Sequence, residues 1–216
     1  MEASADIQVS RFWALSNRAD PRALPLADRH YNRQKPGTPQ FVPPGRCLVL
    51  LTADAGALWV TSWPFPEWVK HRWPGAWVNS CFRRESGPRA SDLITEAVAV
   101  TRWFYGEAPT LGMVTFIDPN KVRNKRDFGR CYLRAGFERD GETEGGLIAI
   151  RMRPERMPEA MAPLGYRHQY DLCFATPSGP AVPGPCARQG DSSARGLPMD
   201  QEPEPCPLPA RESEGK

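Results

Sequence analysis

Leu111-Gly112-Met113-Val114-Thr115-Phe116-Ile117-Asp118-Pro119 is the stretch on which the fold turns. Its first seven residues are almost continuously apolar and rich in β-branched and aromatic types. That is too short for an ordinary helix, so it reads as a buried strand, stopped by the Asp-Pro turn. The residues before it spell a helix. Ser91 is a good N-cap with Asp92 in the first turn; Ile94, Ala97, Val98 and Thr101 mark one face, flanked by Leu93, Val100 and Phe104; Gly106 suits the stop. After the strand a shorter helix is expected from about Asp127 to Ala135, with Gly136 at its C-terminal turn.

Working outward, Cys47 to Leu51 is a short apolar run. The Asp54-Ala55-Gly56 turn leads from it into Ala57 to Trp63, which together predict a β-hairpin. Pro64 to Pro74 reads as a helical or irregular excursion and Ala76 to Phe82 as a third strand. On the far side, Phe137 to Arg139, a turn at Asp140-Gly141 and Gly146 to Met152 make a closing hairpin. The segment up to Leu26 is weakly patterned, with Phe12, Trp13 and Leu15 as anchors, and Asp28 to Phe41 is a proline- and glycine-broken loop. The expected class is α/β: a mixed, mostly antiparallel sheet with crossover helices, plus a disordered C-terminal tail.

The 216 residues divide into a folded domain over 1–170 and a tail over 171–216. From Ala175 onward aromatics vanish and prolines cluster (Pro177, Pro180, Pro183, Pro185 and beyond). Such a segment cannot bury enough apolar surface to offset about 1–2 kcal/mol of backbone entropy per residue. No run reaches the ~20 apolar residues of a membrane helix, and Met1 to Val9 lack the features of a signal peptide, which predicts a cytoplasmic, membrane-free protein. The six cysteines are scattered without a C-x-x-C pair, and Cys47, Cys81 and Cys131 read as small core residues. A net charge of +3 is too small to prove an acidic partner. Its distribution is more telling: Lys121, Arg123, Lys125, Arg126, Arg130 and Arg134 face one acid, Asp127, a focus suited to anions or simply to water.

Three pieces carry candidate chemistry: His30-Tyr31 in the loop, Asp118 at the strand's carboxyl end, where ligand crevices of open α/β sheets lie, and Tyr132 within Gly129-Arg130-Cys131-Tyr132-Leu133-Arg134-Ala135-Gly136-Phe137. The element order resembles the Gcn5-related N-acetyltransferases. His-Tyr before a Pro/Gly loop, a strand ending in Asp-Pro, then Gly-x-x-Tyr-x-x-Ala-Gly-Phe resembles the Mom family of phage DNA-modification proteins, from about His30 to Met152. That resemblance implies an acetyltransferase-like fold, modification of adenine in DNA to a carbamoylmethyl form, and an active site at His30, Tyr31, Asp118 and Tyr132. It also implies a possible iron site, since His, Asp and Tyr are iron ligands by type.

The chemistry is compatible with the residues. A histidine accepts a proton from an amine, an aspartate orients or ligates, and a tyrosine donates to a leaving group. Each also has a plain structural use: His30 satisfied by loop carbonyls, Asp118 as a turn former before proline, Tyr132 packing its ring. Arg84, Gly87, Arg126, Gly129 and Arg130 are the candidates for a nucleotide-type acyl donor such as acetyl-CoA. The sequence departs from the acetyltransferase phosphate loop in Arg84-Glu85-Ser86-Gly87-Pro88-Arg89, because Pro88 has no N–H and Asp92 repels phosphate. The tryptophans read as core, with Trp63 the best candidate for stacking on a base. DNA is the expected partner; an ordinary N-acyltransferase on a small amine or protein, and a non-catalytic DNA-binding accessory protein, are the competing readings. Truncation after Ala175 is expected to leave fold and activity intact, and a drop of several degrees in melting temperature would contradict that.

Overall fold

A computed structural model describes residues 7–43, 45–122 and 127–164. The tail over 171–216, together with Arg123, Lys125 and Arg126, lies outside the described residues. Seven strands form one mixed sheet: β1 (Ala14–Ser16), β2 (Arg46–Leu51), β3 (Ala57–Trp63), β4 (Trp77–Arg84), β5 (Met113–Ile117), β6 (Glu138–Glu142) and β7 (Ile148–Met152). Their spatial order is β1-β2-β3-β4-β5-β7-β6. All pairings are antiparallel except that of β4 with β5. Among the described residues there are three α-helices: α1 (Leu24–Asp28), α2 (Ala90–Tyr105) and α3 (Arg130–Arg134). The expected α/β class with a mixed sheet therefore holds.

Burial on both faces follows from strict alternation. In β2, Leu48 and Leu50 point to the core under α2, built with Trp13, Trp59, Trp77, Leu93, Ala97 and Met113. Val49 and Leu51 point to a second core under α1, with Leu26, Ala27, Leu58 and Val60. A period of two along the strand feeds two layers at once. Trp13 locks the first layer by donating its indole N–H to the Leu93 carbonyl at 3.0 Å. Fully burying a side chain of this size is worth roughly 1.5–3 kcal/mol, so these cores carry the stability.

Several boundaries move. The α2 N-cap is Arg89 rather than Ser91, and no side chain caps the helix; Gly106 ends it as expected, at φ +87°. The second expected helix shrinks to α3, because Gly129 in the left-handed region starts it late. Asp140-Gly141 is not the turn of the last hairpin. It lies inside β6 at an irregularity in the register between Arg139 and Glu142, and the chain reverses instead over Thr143 to Leu147. Residues Pro66–Trp68 form a single 3-10 turn. Among the described residues no helix is long and apolar enough to cross a membrane.

The entry into β5 needs glycine. Gly112 has φ +69°, its carbonyl accepts the Trp77 N–H at 2.9 Å, and a Cβ there would lie 2.1 Å from the Met152 carbonyl oxygen. Gly106 shares the positive φ but faces open space. Gly106→Ala is expected to cost about 1 kcal/mol and Gly112→Ala at least ~3 kcal/mol. Urea denaturation of both variants reads the difference, and equal costs would remove the steric account.

Candidate functional site

Parallel pairing between β4 and β5 lasts three residues, Trp77↔Met113, Val78↔Val114 and Asn79↔Thr115. Beyond this fork β4 follows β3 to Arg84, while β5 follows β7 to Ile117. The β3–β4 register shifts at the same level, where Val60 pairs with Cys81 and Thr61 with Asn79, so Ser80 is an extra residue without a partner on β3. A cavity of about 520 Å³ lies at the fork. Its walls come from β4 (Asn79 to Arg84), β5 (Thr115 to Ile117), the His30-Tyr31 loop and the start of α3.

Asn79 is the knot of this arrangement. Its amide donates to the Val60 carbonyl at 2.9 Å and the Cys81 carbonyl at 3.1 Å, bracing the extra residue. Its side-chain oxygen accepts the Tyr132 hydroxyl at 2.5 Å, and its backbone carbonyl accepts the Thr115 hydroxyl at 3.1 Å. Tyr132 is only 8 % exposed, with its ring edge-on to Phe82 and Phe137. Burial drives its acidity well below that of a free phenol, so it stays neutral and keeps its proton. Gly129 allows α3 this close to the sheet: a Cβ would lie 2.1 Å from the Ile150 Cδ1 and 2.7 Å from the Ile117 Cδ1.

His30 and Tyr31 reach the fork from α1. The loop that carries them is held by Asp28, which accepts from the Arg33 guanidinium at 2.8 Å and from the Gly37 N–H at 2.9 Å. The two rings stack at 4.5 Å. His30 Nδ1 accepts the Asn32 N–H at 3.3 Å, which puts the neutral ring's own proton on Nε2 and leaves Nδ1 as the basic nitrogen. Burial, reinforced by the positive charge of Arg83, pulls the His30 pKa down from 6.5 to about 4. The Tyr31 hydroxyl donates to the Phe116 carbonyl at 3.2 Å, and burial raises its pKa to about 12.

Asp118 follows directly. Its carboxylate makes an Asx turn with the Asn120 N–H at 3.0 Å and meets the Lys121 ammonium at 3.7 Å. It does not line the cavity, but its charge is felt by Tyr31. The structure thus brings His30, Tyr31 and Tyr132 into one cavity and leaves Asp118 at its shoulder.

Cationic groups ring the mouth. Arg84 lines it but turns back to donate to the Gly87 and Pro88 carbonyls at 2.8 and 2.5 Å. The N–H groups of Glu85 and Ser86 are bound to the Gly56 carbonyl at 2.8 and 3.3 Å, so the β4–α2 loop is fastened to the β2–β3 turn. Gly87 holds φ +84° on that loop without lining the cavity. The N–H groups of Gly87, Arg89 and Ala90 have no backbone acceptor among the described residues. Gly129 and Arg130 line the cavity, and Arg130 forms no ion pair among the described residues.

Sequence reasoning missed Asn79, Cys81, Arg83, Thr115 and Phe116, all on the cavity wall. A lone asparagine in the apolar run Ala76 to Phe82 was the available signal, since a buried amide must find partners. Cys47, Cys81 and Cys131 are half-buried and form no disulfide, and burial raises the Cys81 thiol to about 12, which makes it a poor nucleophile. Trp63 is not a free stacking ring: it packs edge-on against Trp77 and Tyr105 with the Arg46 guanidinium over it at 4.8 Å. Among the described residues no three His, Cys, Asp or Glu side chains converge to hold a metal. With the Tyr132 hydroxyl committed to Asn79, these residues do not fit an iron site.

The depressed His30 pKa makes stability depend on pH. Between 6.5 and about 4 the unfolded chain binds a proton that the folded chain refuses, so stability falls as pH drops through this window. His71 is shifted in the same direction by burial. His30→Gln should therefore flatten part of the loss between pH 7 and pH 4.5 in urea titrations; an unchanged slope would mean that His30 is solvated.

No family model, no curated protein and no solved structure matches this chain.

Proposed function

We propose that this chain is a group-transfer enzyme with an acetyltransferase-like fold that modifies a primary amine, and that its acceptor is the exocyclic amine of adenine in DNA. The observation that carries the reading is the fork: a single parallel pair that parts after Asn79 and Thr115, with a neutral histidine and a neutral tyrosine lining the gap. An amine attacking an activated carbon must lose a proton, and the leaving group must gain one. Neutral His30 suits the first task through Nδ1, its unprotonated nitrogen, once the 3.3 Å contact with the Asn32 N–H gives way. The Tyr132 phenol suits the second if its proton turns from the Asn79 side-chain oxygen to the leaving group. Tyr31 positions His30 by stacking on it, and Asp118 holds Lys121 at the shoulder.

A donor of nucleotide type, such as acetyl-CoA, would supply the activated group when bound. Arg130 and the unused N–H groups of Gly87, Arg89 and Ala90 suit its anionic part in charge and placement, at the start of the sixteen-residue helix α2. The loop's own use of Arg84 and of the Glu85 and Ser86 N–H groups leaves fewer contacts than the usual phosphate loop offers.

Mass spectrometry of nucleosides from DNA of cells expressing the chain tests the reading. A modified adenine is expected, lost about 100-fold or more in His30→Ala and Tyr132→Phe and less severely in Asp118→Ala. Unmodified DNA, with a small amine or protein acylated instead, would reassign the acceptor.

A further inference from the structure

The β3–β4 connection, Pro64 to Gly75, does something that core formation does not require. Phe65 caps a 3-10 turn and Trp68 closes it, with the Trp68 N–H on the Phe65 carbonyl at 3.0 Å. Phe65 enters the turn in extended conformation, and Trp68 is the turn's last residue. Both rings face water, Phe65 58 % and Trp68 79 % exposed, whereas Trp13, Trp59, Trp73 and Trp77 are buried. Pro66 at the first helical position fixes the turn, so the two rings are displayed by a stiff support.

The stretch is tied to the cavity. His71 rests on Phe116 with ring centroids 4.8 Å apart, and Phe116 is part of the cavity wall. Trp73 packs on the same Phe116 at 5.6 Å and donates its indole N–H to Asp140 at 2.6 Å. Trp68 stands three residues before His71, a chain reach of at most about 11 Å. The turn itself stands beside Gly75, before the start of β4, with Pro66 Cγ 4.0 Å from where a Gly75 Cβ would lie. Lys70 and Arg72 alternate with the aromatic residues and form no ion pair among the described residues; Glu67 is the one acid in the stretch.

We infer that the Pro64–Gly75 connection is a nucleic-acid platform, on which Phe65 and Trp68 stack on bases beside the reacting one while Lys70 and Arg72 meet phosphates. The inference rests on the nucleic-acid acceptor proposed above. Aromatic rings interleaved with cations, on a connection whose His71 and Trp73 touch the cavity wall at Phe116, match a strand whose bases are flat and whose backbone is anionic. A second copy of the chain would want the rings without the cations; an anionic lipid surface would take both, and vesicle binding is the arm of the test that separates it from a strand. Stacking also explains why two rings are kept in water: their partner arrives with the substrate.

Fluorescence anisotropy of a labelled oligonucleotide, single-stranded and duplex, with the full chain tests this directly. Phe65→Ala and Trp68→Ala should each weaken single-strand binding about tenfold, and Lys70→Gln with Arg72→Gln should flatten the salt dependence by about 0.7 for each cation removed. Melting temperatures should not move, since the changed side chains are exposed. Affinities within about twofold of the parent in the aromatic variants would overturn the inference. So would a change from dimer to monomer on sedimentation, or loss of vesicle binding with oligonucleotide binding intact. Ring-dependent binding without a modified base would leave the platform standing and remove the chemistry; a parent chain that binds no oligonucleotide would remove the nucleic-acid acceptor and the platform together.

Discussion

Everything at the site depends on Asn79. Where two parallel strands part, backbone groups on their inner edges lose ladder partners, and each buried group left unpaired costs about 1–3 kcal/mol. Here two of the carbonyls beside the gap are supplied by side chains: Cys81 by the Asn79 amide and Phe116 by the Tyr31 hydroxyl. The same asparagine receives Tyr132, so the fork, the extra residue in β4 and the placement of α3 are one hydrogen-bonded unit. Opening the sheet and aiming the tyrosine are thus a single structural event.

The buried interior and the charged rim divide the work. Burial keeps His30, Tyr31, Cys81 and Tyr132 uncharged, each moved in the direction that disfavours its ion. Charge is confined to the shoulders, where Arg83 and Arg29 share Glu85 and Lys121 meets Asp118. Glu85 bridges two guanidiniums, so the cation next to His30 is held in place rather than free to approach it. A low-charge interior favours proton transfer between neutral groups.

What could be read in the sequence was local. The hairpin over β2 and β3 follows from two apolar runs about a turn, α2 from its 3.6-residue period and the Gly106 stop, and β5 from its unbroken apolar run. The five-residue α1, with Pro25 in its first turn, left no period to detect in a segment that read as weakly patterned. Asp140-Gly141 carried turn chemistry, yet Asp140 is held by Arg151 and Trp73, and tertiary contacts kept the strand going. At the site, His30, Tyr31 and Tyr132 were legible as residues that chemistry uses. Asn79 was not, because its importance comes from a strand pairing thirty-six residues away at Thr115, and pairing of that range leaves no local pattern. Trp68 is exposed where core was expected and Trp63 is packed where an open ring was expected, for the same reason: composition counts tryptophans but does not say which have Tyr105 to lean on.

The sheet's two margins bear on how such a molecule stays dispersed. An open edge is a row of unspent donors and acceptors that another chain can copy, and long, flat, greasy edges invite it. One margin here, β1, is three residues long. The other, β6, reads Glu138-Arg139-Asp140-Gly141-Glu142, charged on nearly every residue and broken in register midway. Neither offers a template for growth, so a protein that keeps two aromatic rings in water does so on a scaffold that cannot be extended strand by strand into a fibre.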